Sequence, residues 1–515
     1  MAELDLNRGR EMNKPSNIEF DDLQGLLRFG HGKLTDTCFM LLNIANVDAA
    51  KQWLSEAPIS NATMTAPSPD TALQIAFSVE GLRALNLKES VIEGFSEEFI
   101  VGMAGDESRS RRLGDVGDNT PDKWEWGGNE ATVPHVLLLL YARQGELDTW
   151  RTTVEGEHFS QAFHLLSQLP TQSIDEIEPF GFVDGISQPT IDWKQKQSTD
   201  IHERDRYSNL LAPGEMVLGY PNEYGHYTPR PLIDPQEDRF AAELPDAEDE
   251  PRLKDLGRNG TYLVLRQLSQ DVPGFWQFLD KATASDADQR EQLAAAIVGR
   301  ERDGTPLIEE HIPGIAPKDH GNNFTFDLDP KGNHCPVGAH VRRANPRTGD
   351  FPPGVTGFFS RLIRILGFAQ TPEEDLIASS RFHRLLRRGR SYGSALSPED
   401  AVKPDAPAED RGIQFICLVA NISRQFEFVQ NAWMVNSKFG GLQNERGPLT
   451  GHRKPLIDGQ PTDHFNRPDA AGPMKTVCHL PQFVTVRGGG YFFMPGLRAL
   501  KYIAAIPATG RDSAS

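Results

Sequence analysis

Short apolar runs of strand length alternate with segments of helical period along this chain, and that alternation limits the folds open to it. Thr37-Cys-Phe-Met-Leu-Leu-Asn-Ile reads as a strand. Val47-Asp-Ala-Ala-Lys-Gln-Trp-Leu reads as a helix, with Asp48 near its start and Ala50, Trp53 and Leu54 on one face. Thr71-Ala-Leu-Gln-Ile-Ala-Phe-Ser is a second strand, Val79-Glu-Gly-Leu-Arg-Ala-Leu a short helix, His135-Val-Leu-Leu-Leu-Leu-Tyr a buried strand, and the stretch from Phe159 to Leu169 a further helix. This order predicts a ferredoxin-like α+β unit with a loop inserted around residues 95–130.

The alternation resumes later in the chain. Gly260-Thr-Tyr-Leu-Val-Leu-Arg and Gly412-Ile-Gln-Phe-Ile-Cys-Leu-Val read as strands, Gly274-Phe-Trp-Gln-Phe-Leu and the stretch from Arg424 to Trp433 as helices, and Gly490-Tyr-Phe-Phe-Met-Pro as a strand that closes the chain. The expected fold class is α+β, with two ferredoxin-like domains, antiparallel sheets and long loop insertions. Residues 1–18 are expected to be a disordered leader, 19–210 the N-terminal domain and 211–508 the C-terminal domain, with a charged connector around Asp192–Tyr207. Residues 231–256, acid-rich and proline-containing, read as an exposed insertion.

Composition narrows the function classes. With 53 Lys plus Arg against 72 Asp plus Glu, the formal charge of −19 disfavours broad binding to nucleic acid or to an anionic membrane. The start of the sequence lacks a secretory h-region, and no run approaches the about 18 apolar residues of a membrane span. The four cysteines, Cys38, Cys335, Cys417 and Cys478, are scattered without a CxxC pair, which fits reduced thiols in the cytoplasm.

Three clusters could carry chemistry. In Gly181-Phe-Val-Asp-Gly-Ile-Ser-Gln-Pro, Asp184 sits between glycines and apolar neighbours, a setting that can tune a carboxyl group for proton transfer; an Asp-Gly pair is also an ordinary turn. In His334-Cys-Pro-Val-Gly-Ala-His-Val-Arg-Arg-Ala-Asn-Pro-Arg, the small residues before His340 would let a planar cofactor approach, and Arg342, Arg343 and Arg347 could bind its acidic groups. His340 is a candidate haem ligand or a hydrogen-bonded core histidine, with Cys335 and His334 as rival ligands. In Phe382-His-Arg-Leu-Leu-Arg-Arg-Gly-Arg-Ser-Tyr-Gly, alternation points Arg387 and Arg388 to opposite faces, one toward a cavity and one toward solvent.

Taken together, the GxxDG, CPxxxHxRRxNPR and RRGxxYG segments, in that order, resemble the dye-decolorizing peroxidases over roughly residues 20–505. The resemblance implies one haem b per chain, hydrogen peroxide as oxidant and dyes, phenols and other aromatic donors as reductants. It implies His340 as the iron ligand, Asp184 and Arg387 as the catalytic distal pair, and Asp184, Gly185, Ile186, Arg343 and Arg387 as further cofactor contacts. Gly389 stands where some branches of the family carry asparagine. A carboxylate is expected behind the proximal histidine, with Glu445 the first candidate and Glu427 the second. Tyr392, Trp433 and Tyr491 are candidates for electron exit or simply for packing. The alternative is a haem-binding or iron-handling protein with incidental peroxidase activity. A non-haem metal enzyme is a third reading, although no close His-x-x-x-His spacing is present. Oligomeric state is left open.

Overall fold

The computed structural model describes residues 17–172, 177–196, 208–308, 321–347, 379–469 and 472–507. The expected leader lies almost wholly outside these residues, as does much of the connector around Asp192–Tyr207.

The N-terminal half runs β1 (Asp36–Ile44), α1 (Val47–Glu56), β2 (Thr71–Phe77), β3 (Val136–Ala142), α2 (Leu147–Glu155) and β4 (Phe163–Leu169). Its strands lie in the order β2-β3-β1-β4, all antiparallel, which is the ferredoxin-like arrangement. Helix α1 starts where Asn46 accepts from the Ala49 N–H at 2.9 Å, a cap contributing about 1 kcal/mol. It then packs Ala50, Trp53 and Leu54 against Cys38, Met40 and Leu42 of β1. The segment between β2 and β3 is built of short helices, among them Glu97–Val101 and Glu107–Leu113.

The C-terminal half repeats the plan. It runs β5 (Thr261–Gln270), α3 (Val272–Ala282), α4 (Ala287–Val298), the short helix α5 (His340–Ala344), β6 (Leu386–Arg387), β7 (Arg390–Tyr392), β8 (Gly412–Val419), a wide π-type helix (Ser423–Glu427 and Val429–Met434) and β9 (Val484–Met494). The strand order is β6-β8-β5-β9, with β7 also on β8, so each strand occupies the place of its counterpart in the first half. The two halves join into one nine-stranded sheet where Phe493 of β9 pairs with Phe77 of β2.

Three local readings are corrected. The stretch from Phe159 to Leu169 is a single helical turn, Phe159–Ala162, followed by strand β4, because its residues pair with the open edge of β1. The chain does not close on a strand: β9 is followed by α6 (Leu497–Ala505), whose Ala499, Leu500, Tyr502 and Ile503 are buried. Residues 231–256 are not a simple exposed loop. Leu232–Ile233 pairs with Lys254–Asp255, and Arg230 is held by Asp255 at 2.6 Å and Asp249 at 2.5 Å, leaving Asp255 fully buried.

Candidate active site

A cavity of about 310 Å³ opens on the helix-covered face of the C-terminal half. One face of β5 supplies Arg266, Leu268 and Gln270, which alternate inward as strand geometry requires. The π-type helix supplies Phe426, Val429, Gln430 and Met434; its Glu427 N–H and Val435 N–H donate to carbonyls five residues back, and such widened turns recur at functional sites. The N-terminal half reaches in with Asp115 and Asn119, just past helix Glu107–Leu113. The connector between the halves brings Glu178, Asp184, Ile186 and Ser187, and α5 brings His340.

Asp184 and Arg387 meet in this cavity. Arg387 Nη1 donates to Asp184 Oδ1 at 2.7 Å. The pair is held by a contact that the sequence reading missed: the Gln188 side chain donates to the Arg387 carbonyl at 3.1 Å and accepts from the Arg387 N–H at 3.0 Å. Gln188 was legible only as part of the same DGISQP segment, since a neutral amide carries no chemical signal of its own. Burial pushes the Asp184 carboxyl up, but Arg387 and the Gly185 N–H offset it and hold the group below the usual aspartate range. Gly185 adopts φ +83, the left-handed conformation that lets its N–H turn back toward Asp184. Ile186 lines the cavity beside them.

His340 begins α5, and the two arginines that follow anchor that helix instead of entering the cavity. Arg342 donates to Asp329 Oδ2 at 3.1 Å and to the Cys335 carbonyl at 2.8 Å. Arg343 donates to the carbonyls of Gly338, Trp433, Asn436 and Glu445, which takes up its guanidinium and keeps it off the cavity wall. Arg343, expected among the cofactor contacts, is not among the residues that line the cavity. Burial, with Arg387 and Arg343 nearby, lowers His340 to about 4 against the opposing pull of Asp184, so the imidazole is neutral. Cys335 is buried in a separate small cluster, and neither it nor His334 lines the cavity.

The two carboxylate candidates separate. Glu427 is engaged by Arg109 at 2.9 Å, by Arg112 and by the Tyr491 hydroxyl at 2.9 Å, so it does not serve His340. Glu445 is fully buried beside α5, its Oε1 so close to Gly338 that a Cβ there would lie 1.9 Å away. Asn466 donates to Oε2 at 2.8 Å, while among the described residues Glu445 Oε1 and His340 Nδ1 both lack a hydrogen-bond partner. Arg388 turns away from Arg387 as alternation requires, but it meets the Leu26 and Leu27 carbonyls instead of solvent. A side chain at Gly389 would point its Cβ to 2.5 Å from the Gln414 carbonyl, which explains why none is present there. Tyr392, Trp433 and Tyr491 are all buried.

Comparison with known proteins gives the family. The multifunctional dye peroxidase of Amycolatopsis sp. is 31% identical over 404 residues, 74% of each chain. This chain belongs to the dye-decolorizing peroxidases. A dye-decolorizing peroxidase of Exidia glandulosa is 26% identical over 511 residues, covering 94% of this chain and 87% of its own. Among solved structures, a dye-decolorizing peroxidase in complex with 2,6-dimethoxyphenol shares the fold with a TM-score of 0.69 at 22% identity, over 95% of this chain and 100% of that one. The DyP-type peroxidase of Anabaena sp. does so with a TM-score of 0.67 at 24% identity, over 94% of each. No family model matches. The protein is therefore a peroxidase, an oxidoreductase of α+β fold.

Dye-decolorizing peroxidases are haem enzymes, and the residues present fit a haem. A neutral imidazole lines a cavity walled by the apolar side chains of Leu268, Phe415, Phe426 and Met434, surfaces against which a flat ring can pack. Among the described residues, no group of three or more His, Cys, Asp or Glu comes together as a metal site, and no helix is long and apolar enough to cross a membrane.

Proposed function

We propose that this dye-decolorizing peroxidase holds one haem b per chain in the cavity, with His340 as the iron ligand, and couples reduction of hydrogen peroxide to one-electron oxidation of aromatic donors. The observation that carries the reading is that the Asp184–Arg387 pair and the neutral, unpartnered His340 line the same cavity. Bound haem supplies the iron chemistry that reduces peroxide and takes electrons from donors one at a time.

The chain's own residues supply proton handling and placement. Asp184, kept ionised by Arg387, is the base that takes a proton from peroxide and passes it to the departing oxygen. Arg387 is permanently charged and stabilises negative charge on that oxygen. Glu445 is the carboxylate that orients and enriches the His340 ring through Nδ1, a role supported by its burial beside α5 and by the two unpartnered atoms, Glu445 Oε1 and His340 Nδ1. Gly185 and Ile186 give the distal wall its turn and its apolar surface. In domain terms, residues 19–210 contribute Asp184, and residues 211–508 contribute His340 and Arg387.

The test is an absorption spectrum of the purified holoprotein together with steady-state kinetics. A Soret band and peroxide-dependent oxidation of an anthraquinone dye are expected. A haem-loaded protein without peroxide turnover would instead leave it a haem-binding protein.

A further inference from the structure

The cavity holds a second carboxylate that the distal pair does not use. Glu178 precedes Asp184 by six residues on the same turn, which is closed by Gly181 N–H to Glu178 carbonyl (2.8 Å) and Glu178 N–H to Phe182 carbonyl (2.9 Å) hydrogen bonds. The turn is anchored by Phe180 and Phe182, buried against Phe275 and Trp276, so Glu178 is fixed on the cavity wall.

The two acids have opposite surroundings. Asp184 faces a guanidinium. Glu178 is met only by neutral donors among the described residues: the Phe180 N–H at 3.0 Å, the Phe182 N–H at 3.2 Å and Gln270 Nε2 at 2.9 Å. Other charged or titratable groups lining the cavity are Arg266 on β5, Arg300 after α4, Arg384 just before β6, Arg387 and Arg390 on β6 and β7, His340 on α5, and Asp115. Arg302 bonds the Gly181 carbonyl on the turn itself.

A second observation concerns the partner. Gln270 donates its amide N–H to Glu178, while its buried Oε1 has no partner among the described residues. A half-turn of that amide would offer Oε1 as the acceptor that a protonated Glu178 needs, so Gln270 can serve either state of the acid.

We propose that Glu178 is the proton reserve of the active site, exchanging a proton with Asp184 while the Gln270 amide turns to match. In the exchange, the Glu178 carboxylic acid and the Asp184 carboxylate become the Glu178 carboxylate and the Asp184 carboxylic acid. One proton moves and no electron does. Protons released by oxidised donors, or drawn from solvent, refill Glu178. Burial, opposed by those three hydrogen bonds and reinforced by the charge of Asp184, raises Glu178 to about 7, so it carries its proton below neutral pH while Asp184 does not. The inference rests on Asp184 acting as the base.

The test joins infrared titration of the haem-free chain to kinetics of the loaded one. Because Glu215 is also raised to about 7, the signal is read as wild type minus E178Q. That difference is expected to contain a protonated-carboxyl band that fades with a midpoint near 7, and the same band, with a lower midpoint, is expected in D184N minus the D184N/E178Q double variant. In turnover, E178Q should lower kcat for an aromatic donor about tenfold in mild acid while changing kcat/KM for peroxide much less. E178D, which draws the carboxyl back from Gln270, should keep the band with a shifted midpoint and restore part of kcat. No band in the difference, an unmoved midpoint in E178D, or superimposable kcat–pH profiles for wild type and E178Q would overturn the proposal. Full turnover by D184N would instead overturn the role of Asp184 on which it rests.

Discussion

Arg387 and Asp184, 203 residues apart in the chain, form a 2.7 Å ion pair inside the cavity, and with Asp184 as the proposed base this pairing predicts the acid limit of activity. Asp184 works as a base only when ionised. Its pKa lies below the ordinary value of about 3.9, so activity toward peroxide should persist as pH falls and be lost only below that range. In R387L, burial acts without the guanidinium, the pKa rises, and the acid limb should move to higher pH. A pH profile of kcat/KM for peroxide measures both. D184N should lower kcat/KM by about 10²–10⁴-fold wherever Asp184 is ionised in the wild type, the gap closing below its pKa, while haem content is retained.

His340→Ala should yield a chain that folds but does not retain haem. The readout is the ratio of Soret absorbance to protein after reconstitution, with circular dichroism to show the fold intact. A variant that holds haem as the wild type does would move the iron ligand elsewhere.

Gly389→Ala should destabilise the protein by about 1–3 kcal/mol, because its Cβ would sit 2.5 Å from the Gln414 carbonyl and push β8 aside. Urea denaturation measures this. An asparagine at this position should cost at least as much, so the extra distal donor of some relatives should not be installable by one substitution.

Asp115→Ala should cost about 3–5 kcal/mol, because it leaves the Arg266 guanidinium buried without its charge partner. The pair links the N-terminal half to the central strand of the C-terminal half. The loss should therefore appear in thermal unfolding and also as weaker haem retention.

Much of the fold was legible because its central strands are apolar runs with an unambiguous period. Val136–Ala142 is buried at every position and could hardly be anything else. Edge strand β4 was not legible: Phe159, Ala162, Phe163, Leu166 and Leu169 also fall at helical spacing, and only pairing with β1 decides between the two. At the site, Asp184, Arg387 and His340 could be named from their segments, and the structure brings all three to one cavity. Arg343 and Glu427 went elsewhere because charge alone does not say where a side chain's partners lie. Arg343 is met by four backbone carbonyls and Glu427 by two arginines and a tyrosine, and those groups come together only in the folded chain. Glu178 and Gln188 were within or near a recognised segment, yet their parts depend on contacts with Gln270 and Arg387 far along the chain.

The repeated strand order means that one architecture appears twice, once solid and once hollow. Between sheet and helix in the first copy, Met40, Leu42, Trp53 and Leu54 fill the space. On the matching face of the second copy, Arg266, Leu268 and Gln270 border a void. A hollow ferredoxin-like unit on its own would give up much of the apolar burial that keeps such a small fold together. Shared sheet hydrogen bonding with a filled twin lets the second copy stay open, so the first copy acts as the ballast for a neighbour whose interior is reserved for chemistry.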